Sequence, residues 1–234
     1  MVASPQPIRC GTVALMSDQD HAPISTLAPV RGEPLSVELM NTIWADRDGV
    51  HDALATARES NAWLDAVRDR LPEVGAAHGP ARRTVTASDA ARLRRLRDAL
   101  RRIAAEVTDD PREPDAPGDV TTVPVGEAVT AVNAAAGAMP PRLLRLDRGV
   151  VGADRRSSSA ADALLAGFAT DAVDLLAGDH DAGTLRACLA PGCVLYFVQD
   201  HPRREWCSPA CGNRARVARH YERTQSARRG GSRT

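Results

Sequence analysis

The stretch Cys188-Leu-Ala-Pro-Gly-Cys193, followed after thirteen residues by Cys207-Ser-Pro-Ala-Cys211, decides the fold of the C-terminal part of the chain. Four of the five cysteines lie in these 24 residues, as two close pairs. Each pair can place two thiolates on one tight turn, and structural zinc prefers a closed tetrahedron of four sulfurs. We therefore predict one structural zinc ion held by Cys188, Cys193, Cys207 and Cys211. Disulfides or an iron–sulfur cluster are the alternatives.

The residues between the two pairs predict how the pairs meet. Pro191-Gly192, inside the first pair, is typical of the turn that brings Cys188 and Cys193 together, and residues 195–198, between the pairs, have the pattern of a strand. We expect a hairpin across the thirteen residues to bring the pairs together, with His201 at its exposed tip. Four cysteine ligands leave no open coordination position, so the predicted metal is structural and not catalytic. Cys10 has no visible partner and is interpreted as an incidental thiol.

A basic helix is predicted directly after Cys211. At 100° per residue, four of its basic residues fall within one sector of about 100°: Arg216, Arg219, His220 and Arg223. Val217 and Tyr221 lie on roughly the opposite side, and we expect them to pack on the zinc site. Arg203 and Arg204, on the predicted hairpin, can extend the basic surface.

The charge distribution points to a polyanionic partner. The formal net charge is zero, but residues 201–234 contain nine arginines and two acidic residues. Guanidinium groups bind phosphate oxygens bidentately and can also contact guanine edges in the major groove. We predict binding to DNA, with RNA left open by this argument. The alternative is a solvated charged helix with a disordered tail.

The first 180 residues predict a mainly helical fold with one small β-hairpin. A helical face is formed by Leu35, Leu39, Ile43 and Trp44. Further helices are expected near Asp52, from Ser60 as N-cap, over 88–107 with Ser88 as N-cap, over 126–136 and over 159–177. Residues 141–147 and 149–152 are expected to form the hairpin. In the helix over 88–107, the arginines are interpreted as a solvated face beside an apolar seam.

We divide the chain into four parts. Residues 1–33 are a flexible leader, 34–180 a helical domain, 185–225 a treble-clef-like zinc finger with four cysteine ligands that ends in a basic helix, and 226–234 a disordered basic tail. The chain has no run of apolar residues long enough for a membrane span and no secretion signal, so we expect a cytoplasmic protein with no membrane partner.

A second functional hypothesis places the activity in the helical domain, with the zinc finger only a structural staple. This domain would then be a ligand-binding unit or an enzyme. Polar residues on its otherwise apolar helices are candidate ligand contacts: Asn41, Trp44, Arg97 and Asn133. For each, a helix–helix hydrogen bond or a packing role is the alternative. No Ser/His/Asp grouping, phosphate-binding loop or HExxH motif occurs, so an enzyme is not favoured.

The C-terminal region resembles the CGNR zinc-finger family, named for the run that stands here as Cys211-Gly212-Asn213-Arg214. The similarity covers residues 185–223 and includes further positions: Phe197, Arg204, Trp206, Cys207 and Arg216. In that family the finger usually follows a domain called ABATE. The run Leu39-Met40-Asn41-Thr42 and the segment Leu96–Leu100 resemble that domain, over about residues 35–176.

The resemblance implies a stress-related transcription regulator, with a DNA-binding finger and an N-terminal domain that binds a small-molecule effector. By analogy, the four zinc ligands are the four clustered cysteines. Asn213 and Arg214 match the motif and either contact DNA or brace the metal site. Because a single small finger offers little contact area, we also predict a homodimer.

Overall fold

The computed structural model describes residues 28–71, 84–112, 123–139, 142–155, 159–177 and 185–230. Most of the predicted leader, Cys10 included, lies outside these ranges. So do most of the proline-rich segment after Asp110 and the last four residues of the predicted tail. No helix among the described residues is long and apolar enough to cross a membrane.

The described chain contains six α-helices and three two-stranded antiparallel hairpins. The helices are α1 (Leu35–Met40), α2 (Ala57–Ala66), α3 (Ala87–Val107), α4 (Val125–Gly137), α5 (Ala160–Ala177) and α6 (Pro209–Gly230). The strands are β1 (Ile43–Ala45), β2 (Val50–Asp52), β3 (Arg142–Asp147), β4 (Val150–Arg155), β5 (Leu185–Ala187) and β6 (Tyr196–Val198). The predicted mainly helical class with small hairpins is confirmed.

Helix α3 is the centre of the core and packs against α1, α2, α4 and α5. The apolar seam predicted over Leu93, Leu96, Leu100, Ile103 and Val107 is buried at its first four residues, whereas Val107, the last residue of the helix, is 43% exposed. The helix begins earlier than expected, at Ala87, because Thr86 and not Ser88 is its N-cap. The Thr86 hydroxyl accepts a hydrogen bond from the Asp89 backbone, and the Asp89 carboxylate accepts one from the Thr86 backbone.

The region after α1 differs from the predicted run of helices. Helix α1 ends at Met40, and a β-hairpin of β1 and β2 follows, turning at Gly49 with φ 126°. Asp52, expected to begin a helix, lies in β2. Helix α2 begins at Ala57 with Thr56 as N-cap, and Ser60 lies buried inside it. Apolar residues of a short helix and of the strand after it can share a helical period by chance, which explains the wrong prediction.

The hairpin of β3 and β4 exposes apolar side chains to solvent. Arg148 and Gly149 both have positive φ at its turn, 48° and 80°, which suits the right-handed twist of a two-residue hairpin turn. Leu144, Leu146 and Val151 are 83%, 71% and 68% exposed. Leu146 lies opposite Val151 in the register, so these side chains share one face.

The hairpin of the cysteine region forms in a different place from the one predicted. Strand β6 pairs with β5, which precedes Cys188. The hairpin therefore encloses the first cysteine pair and does not run across the thirteen residues between the pairs. The Cys188 amide donates to the Leu195 carbonyl, which closes the loop that carries the first pair. His201 is exposed, in a turn after β6.

Candidate metal centre and nucleic-acid interface

The four cysteines lie together and are all buried. Their sulfur atoms lie within 4.8 Å of one another. Cys193 Sγ and Cys207 Sγ are 3.8 Å apart, and Cys207 Sγ and Cys211 Sγ are 3.5 Å apart. A tetrahedral zinc with Zn–S bonds of ~2.3 Å places its sulfurs about 3.8 Å apart, so the cluster has the dimensions of a closed site with four thiolate ligands.

The electrostatics of the cluster also fit a cation. The pKa of the Cys188 thiol is lowered because Cys193 and then Cys207 donate hydrogen bonds to its sulfur. The same hydrogen bonding to Cys188 raises the pKa values of the Cys193 and Cys207 thiols. Buried thiols this close cannot all ionise alone, because each new thiolate repels the others. A divalent cation removes that repulsion, since thiolates are its ligands.

The run Cys211-Gly212-Asn213-Arg214 opens α6 and has a structural reason at three of its four positions. Cys211 completes the cluster. A Cβ on Gly212 would lie 3.0 Å from Trp206 Cδ1, so only glycine lets the indole pack against the helix without a shift. Arg214 Nη2 donates to Cys211 Sγ at 3.0 Å, and this hydrogen bond raises the pKa of the guanidinium. Asn213 is exposed.

Beyond its first turns, α6 leaves the rest of the protein. Cys211 and Ala215 are buried, whereas four basic residues that follow are exposed: Arg216, Arg219, His220 and Arg223. Val217 and Tyr221 are 61% and 64% exposed. The prediction that these two residues pack on the zinc site is wrong, because the buried side of the helix is the side of Cys211 and Ala215.

Arg203 and Arg204, adjacent in sequence, differ in their surroundings. Arg203 is exposed. Arg204 lies over the Phe197 ring with its Cζ 5.1 Å from the ring centroid, donates to the Val198 carbonyl at 2.9 Å and forms an ion pair with Glu33. The Arg204 guanidinium thus already has protein partners, whereas Arg203 is presented to solvent.

Comparison with known protein families agrees with this arrangement. The family model ABATE, described as "Putative stress-induced transcription regulator", matches residues 33–179, which is more than half of the chain. The chain belongs to the ABATE family. A second model, the CGNR zinc finger, matches residues 184–224, so the ABATE region precedes a CGNR finger. No curated protein gives a significant match to the chain. The finger's four cysteines are the residues that would hold its zinc ion.

The ABATE region binds the CGNR finger through Asn41. Its side-chain amide donates to the Tyr196 carbonyl and accepts from the Tyr196 amide, both at 2.9 Å. Asn41 therefore contacts the backbone of β6 as a neighbouring strand would. Its side chain is buried, and both of its polar ends have protein partners.

The other three candidate ligand contacts in the ABATE region differ in their surroundings. Arg97 is buried and forms ion pairs with Asp52 and Asp98. Trp44 is buried and stacks on His51 with ring centroids 5.0 Å apart. Asn133 is exposed on α4. A role for these residues in ligand binding stays a prediction.

Sequence reasoning missed the residues that join the ABATE region to the CGNR finger. Arg101, assigned to a solvated face of α3, is 2% exposed and donates to the carbonyls of Met40 and Val194, at 3.0 and 3.2 Å. Burial lowers the Arg101 pKa to about 10, so the group is still charged at neutral pH. Glu33, placed in the leader, accepts from the Val198 amide at 3.0 Å. Nothing in their local pattern signals these contacts, because the partners are remote in sequence.

Proposed function

We propose that this protein is a DNA-binding transcription regulator whose CGNR finger presents α6 to duplex DNA. The observation that supports the proposal most directly is the exposed basic sector of α6, formed by Arg216, Arg219, His220 and Arg223. Glu222 is the single acidic residue of this helix. Among the side chains that the structure describes, no ion pair engages Arg216, Arg219 or Arg223, so these guanidinium groups are available to phosphate oxygens.

The dimensions of α6 suit this role. Its 22 residues span about 33 Å at about 1.5 Å per residue. Its N-terminal end is fixed by two metal ligands, Cys207 just before the helix and Cys211 in its first turn. The major groove of B-DNA, about 12 Å wide, admits an α-helix. A helix that is anchored at one end and exposed in its middle turns can lie in that groove while Arg203 contacts the phosphate backbone of the DNA.

The proposal includes a homodimer, because one finger offers the contact area of a single module. The contact that we propose is the exposed apolar face of the β3–β4 hairpin, formed by Leu144, Leu146 and Val151. This face can pack against the same face of a second copy around a twofold axis, since a twofold contact uses the same surface on both subunits. A two-stranded hairpin is also only marginally stable in water without something packed on it.

A matched pair of variants tests the dimer. Leu146 and Val150 are 71% and 70% exposed, but Val150 lies opposite Asp147 and so on the other face of the hairpin. We expect Leu146→Asp to convert the dimer to a monomer in sedimentation equilibrium and Val150→Asp to leave it intact. A wild-type protein that is monomeric at tens of micromolar would remove the dimer from the proposal.

The ABATE region is proposed to be the sensor, responding to a small-molecule effector. The contacts of Asn41, Arg101 and Glu33 with the finger support this role, because they join the helical core to β6 and to the residue that follows Cys193. An effector changes DNA affinity only if it binds the DNA-free and DNA-bound states of the protein with different affinities. We therefore expect the effector to alter DNA affinity and DNA to alter the affinity for the effector by the same factor.

The DNA-binding proposal is tested by fluorescence anisotropy with a labelled duplex across a salt series. We expect the affinity to fall steeply as salt rises. The slope of log K against log salt should decrease in magnitude by roughly 2–3 in the variant Arg216→Ala, Arg219→Ala, Arg223→Ala, at about 0.9 per lost phosphate contact. The control is Arg95→Ala, an exposed arginine of α3. Equal slopes for wild type and the triple variant would contradict the proposal.

A further inference from the structure

The segment Val194–Tyr196 lies between the metal site and the helical core, and it has contacts with both. It directly follows the ligand Cys193. In the middle of the segment, the Leu195 carbonyl accepts a hydrogen bond from the amide of the ligand Cys188, at 2.9 Å. On either side of Leu195, the Val194 carbonyl accepts from Arg101 and the Tyr196 backbone bonds to Asn41. The three residues are buried.

The helical core contacts this segment through hydrogen bonds and a cation–π interaction. Asn41 satisfies both backbone groups of Tyr196. Arg101 Nη1 joins the Met40 carbonyl of α1 to the Val194 carbonyl, and the Arg101 Cζ lies 5.2 Å from the centroid of the Tyr196 ring. The Tyr196 hydroxyl donates to Asp110 at 2.9 Å. Unfolding the segment would leave the buried polar groups of Asn41 and Arg101 without these partners, which is costly.

We infer that zinc binding and folding of the ABATE region are thermodynamically coupled, and that Asn41 and Arg101 are positioning residues for the metal site. They fix the backbone that carries Cys193 and closes on Cys188. The finger is therefore not an independent module. Loss of the metal weakens the helical core, and disturbance of the core at Asn41 or Arg101 weakens metal binding.

The coupling between order in the helical core and zinc binding acts in both directions. Any ligand or chemical change that favours the ordered core also favours the metal-bound finger by the same coupling free energy. Zinc occupancy thus reports on the state of the ABATE region. The orientation of the first turn of α6 depends on both, because that turn carries Cys211. This inference does not require α6 to bind DNA.

The first test uses the unmodified full-length protein and hydrogen exchange measured by mass spectrometry, with and without a zinc chelator. Coupling predicts faster exchange on chelation in two sets of peptides: residues 185–215, and the core residues around Asn41 and Arg101. An independent finger predicts faster exchange in the first set alone, and that result would overturn the inference. Because no substitution is involved, a misfolded variant cannot obscure the result.

The second test measures zinc affinity by competition with a chromogenic chelator. We expect Asn41→Ala and Arg101→Met each to weaken zinc binding by about tenfold or more, as is usual when a residue that supports a metal ligand is removed. The matched controls are Asn133→Ala, exposed on α4, and Arg102→Met, whose guanidinium contacts Val123 and Glu106 within the ABATE region. Zinc affinities that stay equal in all four variants would refute the role of Asn41 and Arg101.

Discussion

Helices α3 and α6 each contain six arginines in almost the same length, 21 and 22 residues, yet their arginine side chains differ in surroundings. In α3, Arg97 and Arg101 are buried, and both are bonded to groups of the protein core. In the middle turns of α6, the three arginines are exposed: Arg216, Arg219 and Arg223. The number of arginines in a helix therefore does not indicate whether their side chains bond to the protein itself or are exposed to an external partner.

Two features of the sequence produce the difference. Helix α3 alternates its arginines with a leucine seam and carries three acidic residues, whereas α6 has one acidic residue and a short buried side. The arginines of α3 thus complete the core and its surface, while those in the middle turns of α6 keep unsatisfied hydrogen-bonding capacity. A guanidinium without a protein carboxylate is suited to an external phosphate.

Removing the metal site that anchors α6 should change the protein most. Cys207→Ser deletes a ligand from the cluster, and structural zinc contributes on the order of 10 kcal/mol to folding of such sites. We expect loss of stoichiometric zinc, measured by atomic absorption, and a lower melting temperature. Cys10→Ser, which removes the cysteine outside the cluster, serves as the control. If Cys207→Ser kept one zinc per chain, the proposed ligand set would be wrong.

Replacing one arginine in each of the two helices should change stability by a smaller amount, and by different amounts in α3 and α6. Arg101→Met leaves two buried carbonyls without a donor and should lower the free energy of unfolding by about 3 kcal/mol. Arg219→Met removes an exposed side chain and should change it by less than about 0.5 kcal/mol. Urea denaturation followed by circular dichroism measures both values. Similar losses in the two variants would show that the arginines of α6 are also part of the folded core.

The smallest effect concerns acid stability at the boundary between the ABATE region and the finger. Burial opposes ionisation of Asp110, but the hydrogen bond and charge of Arg112 outweigh it and lower the Asp110 pKa. A carboxyl whose pKa is lowered by folding stabilises the protein above its unfolded pKa, and this contribution is lost as pH falls through the folded pKa.

Asp110→Asn should therefore reduce stability at neutral pH and make the melting temperature less dependent on pH below about 4. Asp98→Asn is a suitable control, because Asp98 also bonds to an arginine, and that arginine, Arg97, lies beside it within α3. A melting curve of Asp110→Asn that follows the wild type at every pH would mean that this ion pair contributes nothing to the boundary.

Much of the architecture could be predicted from local patterns. The cysteine pairs predict the metal cluster because their spacing fixes which sulfurs can meet, and the seam of α3 follows the helical period. The resemblance to the CGNR and ABATE families predicts the order of the two regions. The β3–β4 hairpin follows from alternation and a glycine turn.

The remaining features depend on contacts between residues far apart in sequence. Asn41 bonds to Tyr196 across 155 positions, and Arg101 bonds to Val194 across 93. A polar residue on a helix shows no local sign of such a partner, so the sequence of α3 indicates a solvated side chain at Arg101. The packing of Val217 and Tyr221 was predicted from their spacing alone, and it fails because the core ends after the first turns of α6.

We propose that a metal-fixed helix, and not merely a basic tail, binds the polyanion. The most direct measurement is anisotropy of a labelled DNA duplex with the same full-length protein before and after zinc chelation, at one salt concentration. We expect chelation to weaken DNA binding by at least about tenfold and added zinc to restore it, although the arginines of the helix are the same in both states. Equal affinity in the two states would mean that the metal does not position the helix for binding.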